Sequence, residues 1–318
     1  MPGEEKPLPP DRAADAPPLS DRAAGAGAER SATPDSGPRA PAHLAARHPS
    51  PDDDARGAAR YPVPVPATGG AAPAWRSPAI TVLLTVVLVG GYLLLQAVVR
   101  LLVVVPVAAG ELASGGLPTP DRLIGLVWDH AGLTAWLGIA VATPPALAAL
   151  WWLARRQGPG PARRRLALVW PRRRDALAWL LAVLAFGWLY ERVVVWVDRP
   201  PLPPVMEQVF STAGWVPALV VAVVMLAPAL EELAFRGFCL GGLAPLGAAW
   251  AIGLSSALFA VIHVQYDVFD VGAVLALGLL FGAARWQSGS TLLTLGLHAF
   301  HNALASLQAL WLVGEVGP

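Results

Sequence analysis

The sequence has one cysteine, one lysine and few charged residues for a chain of 318 residues. Cys239 has no second cysteine to pair with, so no intrachain disulfide is expected; inside an apolar run it is predicted to be a small packing residue. The first twenty residues contain no apolar stretch, so no cleavable signal peptide is expected. The net charge of +1 provides no bulk attraction to nucleic acid, and no nucleic-acid partner is predicted.

Charged residues are scarce because most of the chain is apolar. They make up 14% of the residues, against about 25% in soluble domains, and hydrophobic residues make up 55%. Polar residues are concentrated in 1–76, a stretch rich in Pro, Ala and Arg. Such a composition cannot bury enough apolar surface to offset the entropy of ordering, so we predict a disordered tail.

After residue 77 the chain consists of successive apolar segments, most of them near the roughly 20 residues that cross a bilayer. Residues 101–117 fit either an extension of the first helix or an interfacial segment. Glycines four residues apart, as in Gly237 with Gly241 and Gly278 with Gly282, are typical of close helix contacts. The sequence therefore predicts an all-α, polytopic transmembrane helix bundle of about seven spans. The predicted spans are Pro78–Val99, Ala131–Ala154, Ala176–Val197, Trp215–Leu240, Ala248–Val268, Val271–Trp286 and Thr291–Val313.

The loop between the second and third predicted spans is rich in arginine. Under the positive-inside rule, such a loop faces the cytoplasm. This orientation also places the N-terminal tail in the cytoplasm, in a multi-pass protein of the plasma membrane. Membrane lipid is an expected partner, since anionic headgroups are natural contacts for this loop. The arginines are Arg155, Arg156, Arg163, Arg164, Arg165, Arg172, Arg173 and Arg174.

Three charged residues interrupt the apolar segment VVAVVMLAPALEELAFRGFCL, namely Glu231, Glu232 and Arg236. If these three side chains faced lipid, their insertion into the membrane would cost on the order of 8–10 kcal/mol in total on insertion scales. They must therefore be paired or hydrated inside the bundle. Glu232 and Arg236 are four residues apart, the spacing at which side chains pair on a helix. The side chain of Glu231 lies about 100° around the helix from that of Glu232, so it can contact groups other than Arg236. A helix end at the membrane surface is the alternative interpretation.

Two further apolar segments carry polar side chains. His263 ends FAVIH, with Phe259 one turn earlier on the same face, and His298 and Asn302 share a face within HAFHN. Each alone also fits a packing role, either as a hydrogen-bonded His or as an Asn that binds a neighbouring helix. When ionisable groups occur in three segments of one apolar bundle, a functional site is the default hypothesis.

The three segments, in this order and spacing, resemble the CPBP family of intramembrane peptidases, also called the Abi or CAAX prenyl protease type II family. EELAFR matches an EExxxR motif, FAVIH matches FxxxH and HAFHN matches HxxxN. The resemblance covers roughly residues 175–313 and implies a peptidase domain there, after N-terminal helices and the Arg-rich loop in residues 77–174. It implies an endopeptidase that acts on a membrane-associated protein or peptide substrate, such as a prenylated CAAX protein. His301 is an extra residue that the motifs do not require.

The resemblance also implies roles for the motif residues. Glu231 is implied as the catalytic base, and Glu232 and Arg236 as residues that shape the site with Phe259. His263 would assist water activation or bind a metal. The remaining two residues, His298 and Asn302, would stabilise the oxyanion or complete a metal site.

The sequence is compatible with hydrolysis both with and without a metal. The chain has no HExxH zinc motif and no GxSxG nucleophile elbow, so water activation by Glu231 is the simplest hydrolytic route. Glu231, His263 and His298 would also suit an open three-ligand Zn²⁺ site. Two other classes are alternatives: a non-catalytic membrane scaffold or immunity protein of the same fold, and a proton-coupled transporter. Transporters often carry inverted repeats, and no repeat is visible in this sequence.

Overall fold

The computed structural model describes residues 77–114, 119–156 and 160–315, and this part of the chain is helical with no strand. The all-α prediction is therefore confirmed for the described residues, and the tail predicted over 1–76 lies outside them. The helices are α1 (Pro78–Ala113), α2 (Pro120–Asp129), α3 (Ala131–Arg156), α4 (Ala162–Arg165), α5 (Arg173–Trp196), α6 (Pro204–Ser211), α7 (Val216–Leu246), α8 (Ala248–Val261), α9 (Val268–Ser288) and α10 (Thr291–Glu315).

Five of the described helices, α1, α3, α5, α7 and α9, are long and apolar enough to cross a membrane. The sequence predicted about seven spans, and the two others correspond to α8 and α10. Helix α8 has 14 residues, about 21 Å at 1.5 Å per residue, which is less than the hydrocarbon thickness of about 30 Å. Helix α10 has 25 residues but is more polar, because it carries two histidines, an asparagine and a glutamine. The chain is a polytopic membrane protein.

Two helix boundaries differ from the sequence prediction. Helix α1 runs on through Pro106 to Ala113, so residues 101–113 of the ambiguous stretch extend the first helix. Helix α9 has 21 residues, where the sequence predicted a short span from Val271. The Asp267 side chain caps α9 by accepting hydrogen bonds from the backbone N–H groups of the second and third residues of the helix, Phe269 and Asp270.

Helix α5 has the surface of a lipid-facing span. Its 24 residues extend about 36 Å, and its exposed side chains include Leu181 and Trp188. Trp170, just before the helix, is 88% exposed, and Trp196, at its end, is 83% exposed. Tryptophan is enriched at both membrane–water interfaces, so the two residues mark the ends expected of a span.

Helix α7 contains two wider, π-helical turns, Ala222–Leu226 and Leu233–Cys239. Pro228 follows the first turn and has no N–H to donate, so a regular α-helical ladder cannot continue through it. π-Turns inside α-helices are frequent at functional sites. The helix continues beyond the charged residues to Leu246, so the interpretation of those residues as a helix end at the membrane surface is wrong.

Glycines let α7 and α9 approach their neighbours closely. A Cβ atom at Gly242 would lie 2.4 Å from Oγ1 of Thr81 on α1. A Cβ atom at Gly282 would lie 2.9 Å from Cγ2 of Ile252 on α8. Both distances are shorter than real Cβ contacts allow, so only glycine fits these two helix interfaces.

Helices α1 and α3 share one apolar core with α7 and α8. Because this core surrounds the charged residues of α7, the helices that precede residue 175 form part of their surroundings. Its buried members include Val89, Tyr92, Ala142, Leu150, Leu230, Ala234, Phe235 and Phe259.

Candidate active site

Glu232 and Arg236 form a completely buried ion pair on α7. Arg236 Nη1 donates to Glu232 Oε1 at 3.0 Å, and both side chains are 0% exposed. Arg236 Nη2 donates to the Gly278 carbonyl of α9 at 3.2 Å. The guanidinium also lies over the ring of Phe259, 4.3 Å from its centroid, and 5.5 Å from that of Phe281. The ion pair, the hydrogen bonds and the cation–π contacts together offset the free-energy cost of removing these charges from water.

His298 connects the two glutamates. Its Nδ1 lies 2.9 Å from Glu232 Oε1, and its Nε2 lies 3.8 Å from Glu231 Oε2. Because a carboxylate only accepts hydrogen bonds, the Nδ1–H group is assigned as the donor to Glu232. In the neutral ring, the lone pair of Nε2 then faces the Glu231 carboxylate.

The two adjacent glutamates have different surroundings. Glu232 is fully buried and held by Arg236, whereas the side chain of Glu231 is 14% exposed and lies beside His298. Helical geometry separates neighbouring side chains by about 100°, which is why one carboxylate enters the ion pair and the other does not. Glu231 is therefore the carboxylate with access to a reacting molecule.

Phe259 on α8 is the aromatic centre of the site. Its ring centroid lies 5.5 Å from that of Phe235, 4.8 Å from that of His263 and 5.9 Å from that of His298. It also carries the Arg236 guanidinium on its face. Phe259 thus brings the histidines of two motifs against one ring, beside the ion pair.

His263 lies at the end of α8. Its Nδ1 is 2.8 Å from the carbonyl oxygen of Phe259, four residues earlier, and this bond fixes the ring. The imidazole stacks on Tyr266 at 6.1 Å with an interplanar angle of 11°. A proton-bearing Nδ1 leaves Nε2, on the opposite side of the ring, to act as the acceptor.

Asn302 and His301 make contacts away from the two glutamates. Asn302 Nδ2 donates to the Val223 carbonyl at 2.8 Å, inside the first π-turn of α7. This is the bond to a neighbouring helix that the sequence left as the alternative for Asn302. His301 lies against Phe186 of α5, with 6.4 Å between ring centroids.

The residues suggested as metal ligands do not form a ligand set. Among the described residues, no group of three or more His, Cys, Asp or Glu side chains is arranged to hold a metal ion. The Nδ1 atoms of His263 and His298 face the Phe259 carbonyl and Glu232, respectively. The Nε2 atoms of both histidines remain available, but Glu231, His263 and His298 are not gathered into a three-ligand group in this arrangement, and the mechanism uses no metal.

Sequence reasoning missed two residues of the site on α9. Gly278 supplies the carbonyl that accepts from Arg236, and Phe281 packs against His298 with 5.2 Å between ring centroids. The spacing of Gly278 and Gly282 indicated a close helix contact but not a hydrogen bond. Phe281 carried no signal, because an aromatic residue in a membrane helix is ordinary.

Comparison with known proteins supports the family resemblance. Fold and site define a polytopic membrane protein with a buried polar centre, the class to which membrane-embedded proteases belong. The family model described as type II CAAX prenyl endopeptidase Rce1-like matches residues 213–304, a range that contains all three motifs. This match supports assignment to the CPBP/CAAX protease family. No curated protein and no solved structure matches the chain.

Proposed function

We propose that this protein is an intramembrane endopeptidase that hydrolyses peptide bonds of membrane-associated, CAAX-like substrates with water activated by Glu231. The observation that carries the proposal is the separation of roles between adjacent carboxylates. Glu232 is neutralised by Arg236, while Glu231 is partly exposed and faces His298 Nε2 at 3.8 Å. The Rce1-like match over residues 213–304 supports the choice of reaction.

In this mechanism Glu231 accepts a proton from water as the water oxygen attacks the scissile carbonyl carbon. The carbonyl oxygen becomes an oxyanion, and the C–N bond then breaks as the leaving amine takes the proton from Glu231. His298 Nε2 shares this proton, while its Nδ1–H bond to Glu232 holds the ring in place.

The remaining motif residues are assigned supporting steps. His263 offers a second imidazole to the water or the leaving amine. Phe259 holds the rings of His263 and His298 through its own ring contacts. Asn302, one turn beyond His298, holds α10 against α7 through its bond to Val223 and so sets the position of His298.

We propose that the reaction needs no metal, since no group of three or more His, Cys, Asp or Glu side chains among the described residues is arranged to hold one. Incubation with EDTA or 1,10-phenanthroline is expected to leave kcat/KM unchanged. Chelator inhibition that added Zn²⁺ reverses would assign the site to metal catalysis instead.

We propose that the peptidase domain occupies residues 175–313 of a plasma-membrane protein, with the Arg-rich loop and the tail over 1–76 in the cytoplasm. The expected partners are membrane lipid and a protein or peptide substrate. Cysteine accessibility labelling in intact cells, with single cysteines introduced in the loop and in the tail, tests this orientation.

The test uses the full chain in proteoliposomes with a farnesylated, internally quenched peptide that ends in a CAAX sequence. Glu231→Gln should lower kcat/KM by about 100-fold or more, the range for loss of a general base. The matched control is Glu207→Gln, because Glu207 lies exposed on α6, and it should retain activity. A folded, inserted Glu231→Gln protein that cleaves like the wild type would refute the proposal. A wild type that binds the peptide without cleaving it would favour the scaffold alternative.

A further inference from the structure

Gly278 is the residue at which α9 meets the buried ion pair of α7. Its carbonyl oxygen accepts a hydrogen bond from Arg236 Nη2 at 3.2 Å. The guanidinium donates a second bond from Nη1 to Glu232 Oε1 at 3.0 Å, whereas its Nε has no hydrogen-bond partner in the part of the chain that the structure describes. Two hydrogen bonds therefore orient the guanidinium, and the Gly278 carbonyl accepts one of them.

A side chain at position 278 would press on the ion pair. A Cβ atom there would lie 3.2 Å from Ser256 Cβ, 3.3 Å from Phe259 Cδ1 and 3.5 Å from Arg236 Nη2. The first two distances are tighter than most real Cβ contacts, so these neighbours or α9 itself would have to move by a few tenths of an ångström. Because the guanidinium lies on the face of Phe259, such a movement also displaces Arg236.

The position of Arg236 is linked to that of the proposed base through two further residues. Glu232 Oε1 accepts from Arg236 Nη1 and lies 2.9 Å from His298 Nδ1. His298 Nε2 in turn lies 3.8 Å from Glu231 Oε2. Helix α9 also contacts the imidazole directly, since Phe281 packs against His298. A displacement of α9 is therefore transmitted to the nitrogen that faces Glu231.

Close packing alone is the competing explanation for a glycine at position 278. Gly242 on α7 shows what packing alone requires, because the three atoms nearest to its Cβ position all belong to Thr81. Gly278 differs in two respects. One of the atoms nearest to its Cβ position belongs to Arg236, and its own carbonyl is bonded to the same guanidinium.

We propose that Gly278 is a positioning residue of the active site. Its carbonyl and its lack of a side chain together fix the Arg236 guanidinium. The guanidinium fixes Glu232, and Glu232 holds the His298 ring with Nε2 towards Glu231. No proton passes through Gly278. The inference rests on the proposed role of Glu231 as the base, and it makes α9 part of the catalytic unit.

The first test compares Gly278→Ala with the wild type in the full chain, using the farnesylated quenched CAAX peptide in proteoliposomes. A misplacement of about 1 Å can cost on the order of 100-fold in rate, so a shift of a few tenths of an ångström should lower kcat per folded enzyme by about 10-fold. The value of KM should stay unchanged, because Gly278 contacts the ion pair and is assigned no contact with substrate.

A second readout reports on the histidine itself. In the full chain labelled with [15N]histidine, the imidazole nitrogens of His298 report the tautomer and the hydrogen bond to Glu232. Gly278→Ala should shift these resonances, which are assigned by their loss in His298→Gln. A merely structural role would lower the amount of folded protein without moving them.

Two glycine variants serve as controls. Gly242→Ala introduces a closer clash, 2.4 Å from Thr81 Oγ1, but on the α1 side of α7. It should lower the unfolding temperature and leave kcat per folded enzyme and the His298 resonances unchanged. Gly272→Ala, also on α9, should match the wild type in every measurement, because no atom lies within 4 Å of its Cβ position. An equal loss of kcat in Gly242→Ala and Gly278→Ala would overturn the inference.

Arg236→Lys tests the same contact from the other side. Lysine keeps the charge opposite Glu232 but lacks the planar fork that reaches both Glu232 and Gly278. It should lower kcat and shift the His298 resonances. Combined with Gly278→Ala, it should lower kcat by less than the product of the two single effects, because both changes disturb one contact.

The outcomes separate this inference from the proposed function. If Glu231→Gln is inactive while Gly278→Ala has wild-type kcat and His298 resonances, the inference is wrong and the peptidase assignment stands. If Glu231→Gln is active, the proposed function is wrong, and unshifted His298 resonances in Gly278→Ala would then also overturn the positioning of the ring. If Gly278→Ala does not fold, wild-type kcat and resonances of Arg236→Lys overturn the inference.

Discussion

Nδ1 of His298 lies 2.9 Å from Oε1 of Glu232, the same oxygen that accepts the hydrogen bond from Nη1 of Arg236. One carboxylate oxygen therefore joins the EExxxR and HxxxN motifs in a continuous chain from a guanidinium to an imidazole. A carboxylate that holds one nitrogen of a histidine fixes its tautomer and directs the other nitrogen. Here that second nitrogen faces Glu231.

Glu232→Gln should destabilise the fold much more than Glu231→Gln. The amide cannot neutralise Arg236, whose charge would stay buried without a partner, and breaking such a pair typically costs about 3–5 kcal/mol. The measurement is thermal unfolding in detergent, monitored by circular dichroism. The interpretation of Glu232 as a buried counter-ion would be wrong if both variants unfolded at the wild-type temperature.

Gly242→Ala should weaken the packing of α1 on α7. The added Cβ atom would lie 2.4 Å from Thr81 Oγ1 and 2.9 Å from Thr81 Cβ, so the two helices must separate. Overpacking of this kind costs roughly 1–3 kcal/mol. Gly253→Ala is the control, because no atom lies within 4 Å of its Cβ position. Equal unfolding temperatures of the two variants would contradict the close contact.

Asp267 makes stability depend on pH at the start of α9. Its ion pair with Arg199, together with the hydrogen bond from the backbone of Asp270, holds the pKa of the Asp267 carboxyl below its ordinary value of 3.8. A lowered pKa in the folded state means that the stabilisation is fully present above pH 3.8 and is lost as the pH falls through the folded-state pKa.

Asp267→Asn should therefore flatten the dependence of the unfolding temperature on pH below about 4, while an asparagine can still cap the helix. The control is Asp198→Asn, which removes an exposed carboxylate next to Arg199 in the sequence. Unfolding temperatures measured between pH 3 and 7 test this prediction. An unchanged acid dependence in Asp267→Asn would show that the ion pair with Arg199 contributes nothing.

Local spacing explains what could be predicted of the site. Glu232 and Arg236 meet because residues four apart on a helix lie one turn apart on the same face. Phe259 and His263 make contact for the same reason. The composition likewise determined a helical membrane protein, because uncharged apolar segments of this length can satisfy their backbone in lipid only as helices.

Contacts between helices could not be predicted from the sequence. The bond of His298 to Glu232 and the bond of Asn302 to Val223 join residues more than 60 positions apart. The sequence alone thus determined the helical class and the residues that carry charge into the membrane. Only the tertiary structure decided which partner each residue has, because packing between helices sets the rotation and depth of each one, and no local periodicity encodes them.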